Sequence, residues 1–416
     1  MKKILWFCRS SDSSSLSTIT DSIIPELSKT MDITLLSNKS QLNVKNVILG
    51  SDTSVIKYND YVKMFGNTAP IRSLNIKYAL IQLSDLLYND LYDYVIICNG
   101  VYECDWMVDV LKKDESRYLT RKDNKFTKLI IWTPFDYIPT PEVYKNIILS
   151  DITITMNPMI SNELGIPMKW VGHGSDIYDT NFNHKDAIDY LNDLIKNKSI
   201  MGSPIQTDDI IFLNANNYGP FDGRDPVPNS HGTRKRLDIT VKAFLKLMTL
   251  TSKPVKLWIH TNLKSFFEMM NYEKLKLSDF KDKIILSKNN LSKKELAYIY
   301  KVSFANIQTS TGEGWSLTNM ESAIYRSLQI VPDFLACKFH FENRGLLIPV
   351  IRKTIKNEGG HDVIIGEVSV EDTVNKMMES LELENINDIL DIAEEYARSF
   401  TWKKISNQLE EIINCD

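Results

Sequence analysis

The chain is poor in cysteine, in net charge and in long apolar runs. Its five cysteines are scattered, at Cys8, Cys98, Cys104, Cys337 and Cys415. No two of them stand at a metal-binding spacing, and a disulfide framework is not expected from such a scatter. Cys8 and Cys98 fall in apolar, strand-like runs and read as core residues. The formal net charge is −4, which removes the general electrostatic case for a nucleic-acid partner. The local pairs Lys293-Lys294 and Lys403-Lys404 read as solvated helix faces. No stretch approaches the ~20 apolar residues of a membrane-spanning helix. The start, Met1 to Cys8, is basic and then apolar. It is too short for a secretory core and breaks at once into Arg9-Ser10-Ser11-Asp12. No Asp-x-Asp pair stands at a strand end, and no His/Asp/Glu cluster has metal-ligand spacing. Together these absences predict a cytoplasmic protein that works without a metal, with no transmembrane segment. Peripheral membrane contact and oligomeric state stay open.

What is present is an ordinary globular composition, 43% hydrophobic and 25% charged. At 416 residues the chain exceeds one typical core, so two domains are expected. Strand-like runs alternate with helical ones along nearly the whole chain, the pattern of parallel α/β layers. Residues 4–8, 33–36, 47–49, 94–97, 129–132, 152–156 and 168–171 read as strands of a first doubly wound unit, with helices at 18–29 and 74–87. A polar segment, 178–209, carries a helix near 186–196. A second unit follows, with strands at 210–213, 255–259, 284–286, 305–308 and 330–331 and helices at 237–250 and 293–300. Two helical patterns, 386–400 and 402–413, end the chain. The expected division is 1–180 with 400–416, and 205–395. In such sheets ligands bind beyond the carboxyl ends of the strands.

The densest chemistry lies in Ser310-Thr311-Gly312-Glu313-Gly314-Trp315-Ser316-Leu317-Thr318-Asn319-Met320-Glu321. An apolar run, 302–307, precedes it and an amphipathic run, 317–327, follows. Glu313 is therefore expected in a strand-to-helix loop. The amides of Trp315, Ser316, Leu317 and Thr318 are expected at a helix N-terminus, where unpaired N–H groups and the helix dipole favour an anion. Glu321 would lie about one turn further in. A tip carboxylate, an amide cradle and a second carboxylate suit a sugar, a diphosphate and a ribose.

This stretch resembles the E-x7-E motif of retaining GT-B glycosyltransferases, especially family 4. The matching residues are Ser310, Glu313, Gly314, Trp315, Leu317 and Glu321; Ser316 stands where the family carries glycine. Further segments resemble the family in the same order along the chain: Ile131–Pro139, Asp151–Asn157, Val171–Asp176, Thr233–Asp238 with Ala243-Phe244, and Phe400-Thr401-Trp402. The resemblance implies two Rossmann-like domains facing across a cleft, with the last helix crossing back to the first. It implies a retaining transfer of a sugar from a nucleotide-diphosphate sugar, UDP or GDP type, to a hydroxyl acceptor on a glycan, lipid or protein-linked sugar.

Under that resemblance Glu313 fixes the sugar ring and Glu321 accepts from ribose hydroxyls. Lys235, with Arg234 or Arg236 beside it, supplies the positive charge that a diphosphate leaving group needs. Arg224 is another candidate, because the family's usual arginine-to-lysine spacing would require an arginine at Ser230. Gly314 belongs to the donor loop. Ser287 lies where the family holds the base with backbone atoms, and Asn214 opens a long Gly/Pro/Asn-rich loop to Thr233, which is either a fold-over loop or a surface insertion. Asp136, in the Pro134-Phe135-Asp136 loop, either orients sugar or acceptor or forms a turn. The serine loop 9–15 contacts phosphate or caps a helix. His173 reads as a hinge-packing residue, and His260 has no assigned role. Two rivals stand: a sugar-nucleotide epimerase, and a catalytically silent scaffold that keeps the fold.

Overall fold

The computed structural model describes residues 1–8, 15–37, 46–49, 87–113, 119–175, 181–216, 234–288, 291–358 and 361–415. The expected helix at 74–87 lies almost wholly outside the described residues, as do positions 9–14 of the serine loop.

The chain divides into two compact units. Unit 1 comprises Met1–Gly174, Gly359–Asp362 and Trp402–Asp416; unit 2 comprises Ser175–Glu358 and Val363–Thr401. Unit 1 is built on strands β1 (Lys3–Cys8), β2 (Asp32–Ser37), β3 (Asn46–Leu49), β4 (Tyr94–Cys98), β5 (Lys128–Thr133), β6 (Ile152–Thr155) and β7 (Lys169–Trp170). They form one sheet in the order β3-β2-β1-β4-β5-β6-β7, parallel throughout. Parallel strands covered on both faces must be apolar on both faces. Tyr94-Val95-Ile96-Ile97-Cys98 is buried at every position, as that rule requires. Trp6 and Trp132 meet edge to face across the sheet, with ring centroids 6.0 Å apart.

Helix α1 (Ser15–Leu27) packs against the last helix, α12 (Trp402–Cys415). Ile405, Leu409 and Ile413 recur at a helical spacing on α12 and are fully buried. Lys2 Nζ donates to the Tyr94 hydroxyl at 3.0 Å and also bonds the Ile413 carbonyl, which ties the end of α12 to the first strand. At the other end of α12 the Trp402 ring lies against His173, 4.7 Å between centroids. Gly174 faces the same ring, and a Cβ there would fall 2.4 Å from Trp402 Cδ2.

Unit 2 repeats the architecture with strands β8 (Met201–Gly202), β9 (Ile210–Ala215), β10 (Val255–Thr261), β11 (Ile284–Lys288), β12 (Ser303–Ile307), β13 (Leu328–Pro332) and β14 (Leu346–Ile348). Their order is β14-β13-β12-β9-β10-β11-β8, and only β8 runs antiparallel. The polar segment before β9 is not a bare link. It carries helix α4 (His184–Lys196), which belongs to unit 2, and β8, which pairs with β11. In chain order, α2 and α3 are Val101–Lys113 and Pro158–Leu164 of unit 1.

Helix α5 (Leu237–Leu250) buries Leu237, Val241, Phe244 and Leu247, an i, i+4, i+7 stripe set against Phe212 and Leu257 in the core. Burying Phe244 alone contributes about 2–3 kcal/mol of transfer free energy. Helices α6 (Leu263–Tyr272) and α7 (Lys293–Val302) start where Asn262 and Ser292 cap free amides, the latter in a reciprocal capping box with Glu295. Helix α8 (Leu317–Ile324) ends three residues before its expected limit, because Tyr325 leaves the helical region and Arg326 turns left-handed at φ 66°. A strand pair absent from the sequence reading, β15 (Val350–Glu358) and β16 (His361–Val368), follows β14. Helices α9 (Leu335–Phe341), α10 (Val370–Ser380) and α11 (Ile386–Arg398) complete the unit.

Candidate active site

The order of the second sheet reverses between β9 and β12, the place where an open α/β sheet leaves a crevice at its carboxyl edge. Both strands deliver polar residues there. Asn214 lies near the end of β9 and Asn216 directly follows it; Gln308, Thr309 and Ser310 follow β12, and all five are buried. The Glu313 loop then leads into α8.

Glu313 is the centre of the arrangement. Lys235 Nζ lies 2.6 Å from its Oε1, and Arg234 Nη1 lies 2.8 Å from its Oε2. Gln308 Nε2 donates to Oε1 at 3.1 Å. Arg234 Nη1 also donates to the Gly312 carbonyl at 2.8 Å, and the Thr311 amide donates to the Arg234 carbonyl at 2.7 Å. Backbone and side chain thus both fasten residue 234 to the loop. Burial on its own pushes the Glu313 carboxyl upward. The charges of Arg234 and Lys235 outweigh it, and the group is held down at about 2. Glu313 therefore stays ionised throughout the physiological range.

The layering decides what the cluster presents. The Glu313 side chain is 6% exposed, against 16% for Lys235 and 24% for Arg234. The two cations stand in front of the one carboxylate, with the positive groups outermost. That face attracts an anion, and the buried carboxylate fixes where the cations stand. Arg236, in contrast, makes a two-pronged pair with buried Asp238 at 3.0 and 3.1 Å, which balances its charge. It also takes a left-handed backbone, φ 42°, at the N-cap of α5.

Ser316 is the N-cap of α8 and also left-handed, at φ 64°. A glycine takes this conformation freely, whereas an L-residue pays about 1 kcal/mol or more. The serine offsets that cost with buried bonds. Its Oγ donates to Asn319 Oδ1 at 2.9 Å and accepts from Cys337 Sγ at 3.6 Å. Burial, the largest influence on Cys337, pushes its thiol up to about 12, so it remains a donor. The carbonyl of Ser316 accepts from both Asn319 and Met320, leaving Leu317 and Thr318 as the first amides of the helix, both part-exposed. Trp315 is buried, with its ring against His340 at 4.3 Å and Phe400 at 5.1 Å, so it anchors the loop from behind.

Glu321 lies on the second turn of α8, where the buried Tyr300 hydroxyl donates to its Oε2 at 3.0 Å. Burial and the Glu321 charge raise the Tyr300 hydroxyl well above its usual value, which keeps it a donor to the carboxylate. At the neighbouring strand ends, Ser287 Oγ accepts from Trp258 Nε1 and meets His260 Nδ1, each at 2.9 Å. Burial lowers His260 to about 4, so its ring is neutral.

Of the residues singled out in the sequence, Glu313, Lys235 and Arg234 converge on one spot. Gly314, Trp315, Ser316, Leu317, Thr318 and Glu321 share the adjoining loop and helix. Arg236 is beside them but engaged with Asp238. Asn214 is buried beneath, and Ser287 stands at the end of β11. Asp136 belongs to unit 1, part-exposed in the bend after β5. Arg224 and the loop 217–233 lie outside the described residues. Sequence reading passed over Gln308, Asn216, Thr240, Thr309 and Tyr300. The only signal was a run of polar residues, Gln308 to Thr311, directly after an apolar strand.

No protein-family model and no curated protein matches the chain. Solved structures do match. Sucrose-phosphate synthase from Thermosynechococcus elongatus superposes with a TM-score of 0.65 at 12% identity, over 100% of this chain and 98% of that one. The catalytic domain of starch synthase IV from Arabidopsis thaliana, bound to ADP and acarbose, gives 0.63 at 11% identity, over 99% and 98%. Anabaena HepE, in complex with UDP and glucose, gives 0.59 at 11% identity, over 100% of both chains. The chain has the GT-B fold of these proteins, two Rossmann-like α/β units.

Proposed function

We propose that this protein is a retaining glycosyltransferase. It moves a sugar from a nucleotide-diphosphate sugar onto a hydroxyl of a glycan, lipid or protein-linked sugar, in the cytoplasm and without a metal ion. The observation that carries this reading is the cationic pair Arg234 and Lys235 held in front of buried Glu313 at the sheet's carboxyl edge. A departing diphosphate gains negative charge as the glycosidic bond breaks, and fixed cations stabilise that charge. The full-length superposition on HepE with UDP and glucose, and on starch synthase IV with ADP, supports the same class of donor.

In this reading unit 2 takes the donor. Lys235 and Arg234 hold the diphosphate, with Arg236 beside them. The loop Gly314-Trp315-Ser316 and the first amides of α8, Leu317 and Thr318, close around it. Glu313 accepts hydrogen bonds from sugar hydroxyls, and Glu321 from the ribose. Ser287 and Asn214 border the nucleotide. Asp136, on unit 1, orients the acceptor. The acceptor hydroxyl attacks the anomeric carbon on the face that the leaving phosphate shields. The bond to the diphosphate breaks, and a phosphate oxygen takes the hydroxyl proton, so configuration is retained. The protein supplies position and charge.

The test is incubation with UDP-, GDP- and ADP-linked sugars in EDTA, with a panel of glycosides as acceptors. Released nucleoside diphosphate and the anomeric proton couplings of the product are read by NMR. Release with retention is expected. Inversion, or release only with added magnesium, would overturn the reading.

A further inference from the structure

Three buried amides form a directed relay that ends on Glu313. Asn214 Nδ2 donates to the Ile307 carbonyl at 2.9 Å and to Thr240 Oγ1 at 3.1 Å. Its Oδ1 accepts from Asn216 Nδ2 at 2.8 Å. Asn216 and Gln308 exchange two bonds, Nδ2 to Oε1 and Nε2 to Oδ1, each 3.0 Å. The remaining donor of Gln308 points at Glu313 Oε1, 3.1 Å away. A backbone carbonyl cannot donate, so Ile307 fixes which end of Asn214 is the NH2 group. That choice dictates the orientation of Asn216, and Asn216 dictates Gln308. Asn214, Asn216 and Gln308 are 0%, 5% and 1% exposed, so water does not compete for these bonds.

The other partners of Glu313 differ in kind. Lys235 and Arg234 are part-exposed charges that also answer to any anion that arrives. A cation drawn toward a donor phosphate gives up part of its hold on the carboxylate. Gln308 is neutral, buried and bound at both ends of its amide, and has no such second call on it.

We infer that Gln308 is a positioning residue that keeps the Glu313 carboxylate oriented toward the sugar when Lys235 and Arg234 turn to the diphosphate. The inference rests on the donor reading above. It predicts that Gln308 matters for the sugar part of the donor more than for the nucleotide part.

The experiment is calorimetry on the full chain with paired probes: UDP against UDP-glucose, GDP against GDP-mannose, and ADP against ADP-glucose. The quantity read is the affinity ratio of the nucleotide sugar to its bare diphosphate. Gln308→Leu should lower that ratio about tenfold, the loss expected for one hydrogen bond to a charged group. In a Glu313→Gln background the same substitution should change the ratio little, since the two act as one unit. If Gln308→Leu fails to fold, Gln308→Glu keeps the shape but places a second carboxyl beside Glu313. Its ratio should then vary with pH in a way the wild-type ratio does not, as two adjacent carboxyls share a proton. An unchanged ratio, an equal loss for both probes, or a pH-independent Gln308→Glu would overturn the inference while leaving the donor reading intact. A wild-type chain that binds none of the six probes would overturn the donor reading itself, and the inference with it.

Discussion

Replacing Glu313 by Gln keeps the shape of the side chain and removes its charge. The structure sets the size of the effect. Folding lowers this carboxyl from its usual 4.5 to about 2, against the opposing pull of burial, through Arg234 and Lys235. Such a drop corresponds to about 3 kcal/mol of differential stabilisation. Loss of one member of a buried pair costs about 3–5 kcal/mol in other proteins, so the two figures agree in scale. Because the folded pKa is depressed, the stabilisation is fully present above about 4.5 and is lost as pH falls toward 2. For a unit of this size the variant should melt about 10 °C below wild type at pH 7. The gap should narrow steadily below pH 4.5. Calorimetric melts of both proteins from pH 7 to pH 3 measure it directly. A gap below about 2 °C at pH 7, or one that stays constant down to pH 3, would refute the assignment of Glu313 as an ionised, doubly paired carboxylate.

Two further outcomes follow from backbone geometry. Ser316 holds a left-handed backbone with the help of Asn319 and Cys337, so Ser316→Gly trades side-chain bonds for relieved strain and should melt within about 2 °C of wild type, whereas Ser316→Val should lose about 2 kcal/mol in urea titration. Gly174→Ala would drive a methyl group into the Trp402 ring and should destabilise unit 1 by about 1–3 kcal/mol; tryptophan fluorescence together with proteolysis of the last helix would report it.

The two sheets were legible because parallel strands bury both faces and so read as short, wholly apolar runs. Val95-Ile96-Ile97 and Leu257-Trp258-Ile259 admit few other readings. Helix α5 was legible from its stripe, and the Glu313 loop from its position between a strand and an amphipathic run. The pair β15 and β16 was not, since its residues alternate with charges, as in Arg352-Lys353, and Ile351 and Ile355 stay exposed. β16 does bury one face, through Val363 and Ile365, but that short alternation was overlooked beside the charged strand before it. The convergence of Arg234 and Lys235 on Glu313 is likewise a tertiary fact. Nearly eighty positions separate them in the chain, and only the side-by-side placement of β9 and β12 brings them together. The partners of Arg236 and Ser316 are close in sequence, Asp238 two residues on and Asn319 three, but only the left-handed backbone at both positions brings them into bonding range. In sequence Arg236 read as a diphosphate ligand and Ser316 as a cradle amide, and the side chains of both are engaged with buried neighbours.

Direct titration of the full chain with UDP-glucose, GDP-mannose and ADP-glucose in EDTA tests the donor site most directly. One of the three should bind, and Lys235→Ala should weaken that binding at least tenfold, since a charge-assisted contact to phosphate is lost. Absence of binding to all three, or binding that Lys235→Ala leaves unchanged, would contradict a donor site built on Arg234, Lys235 and Glu313.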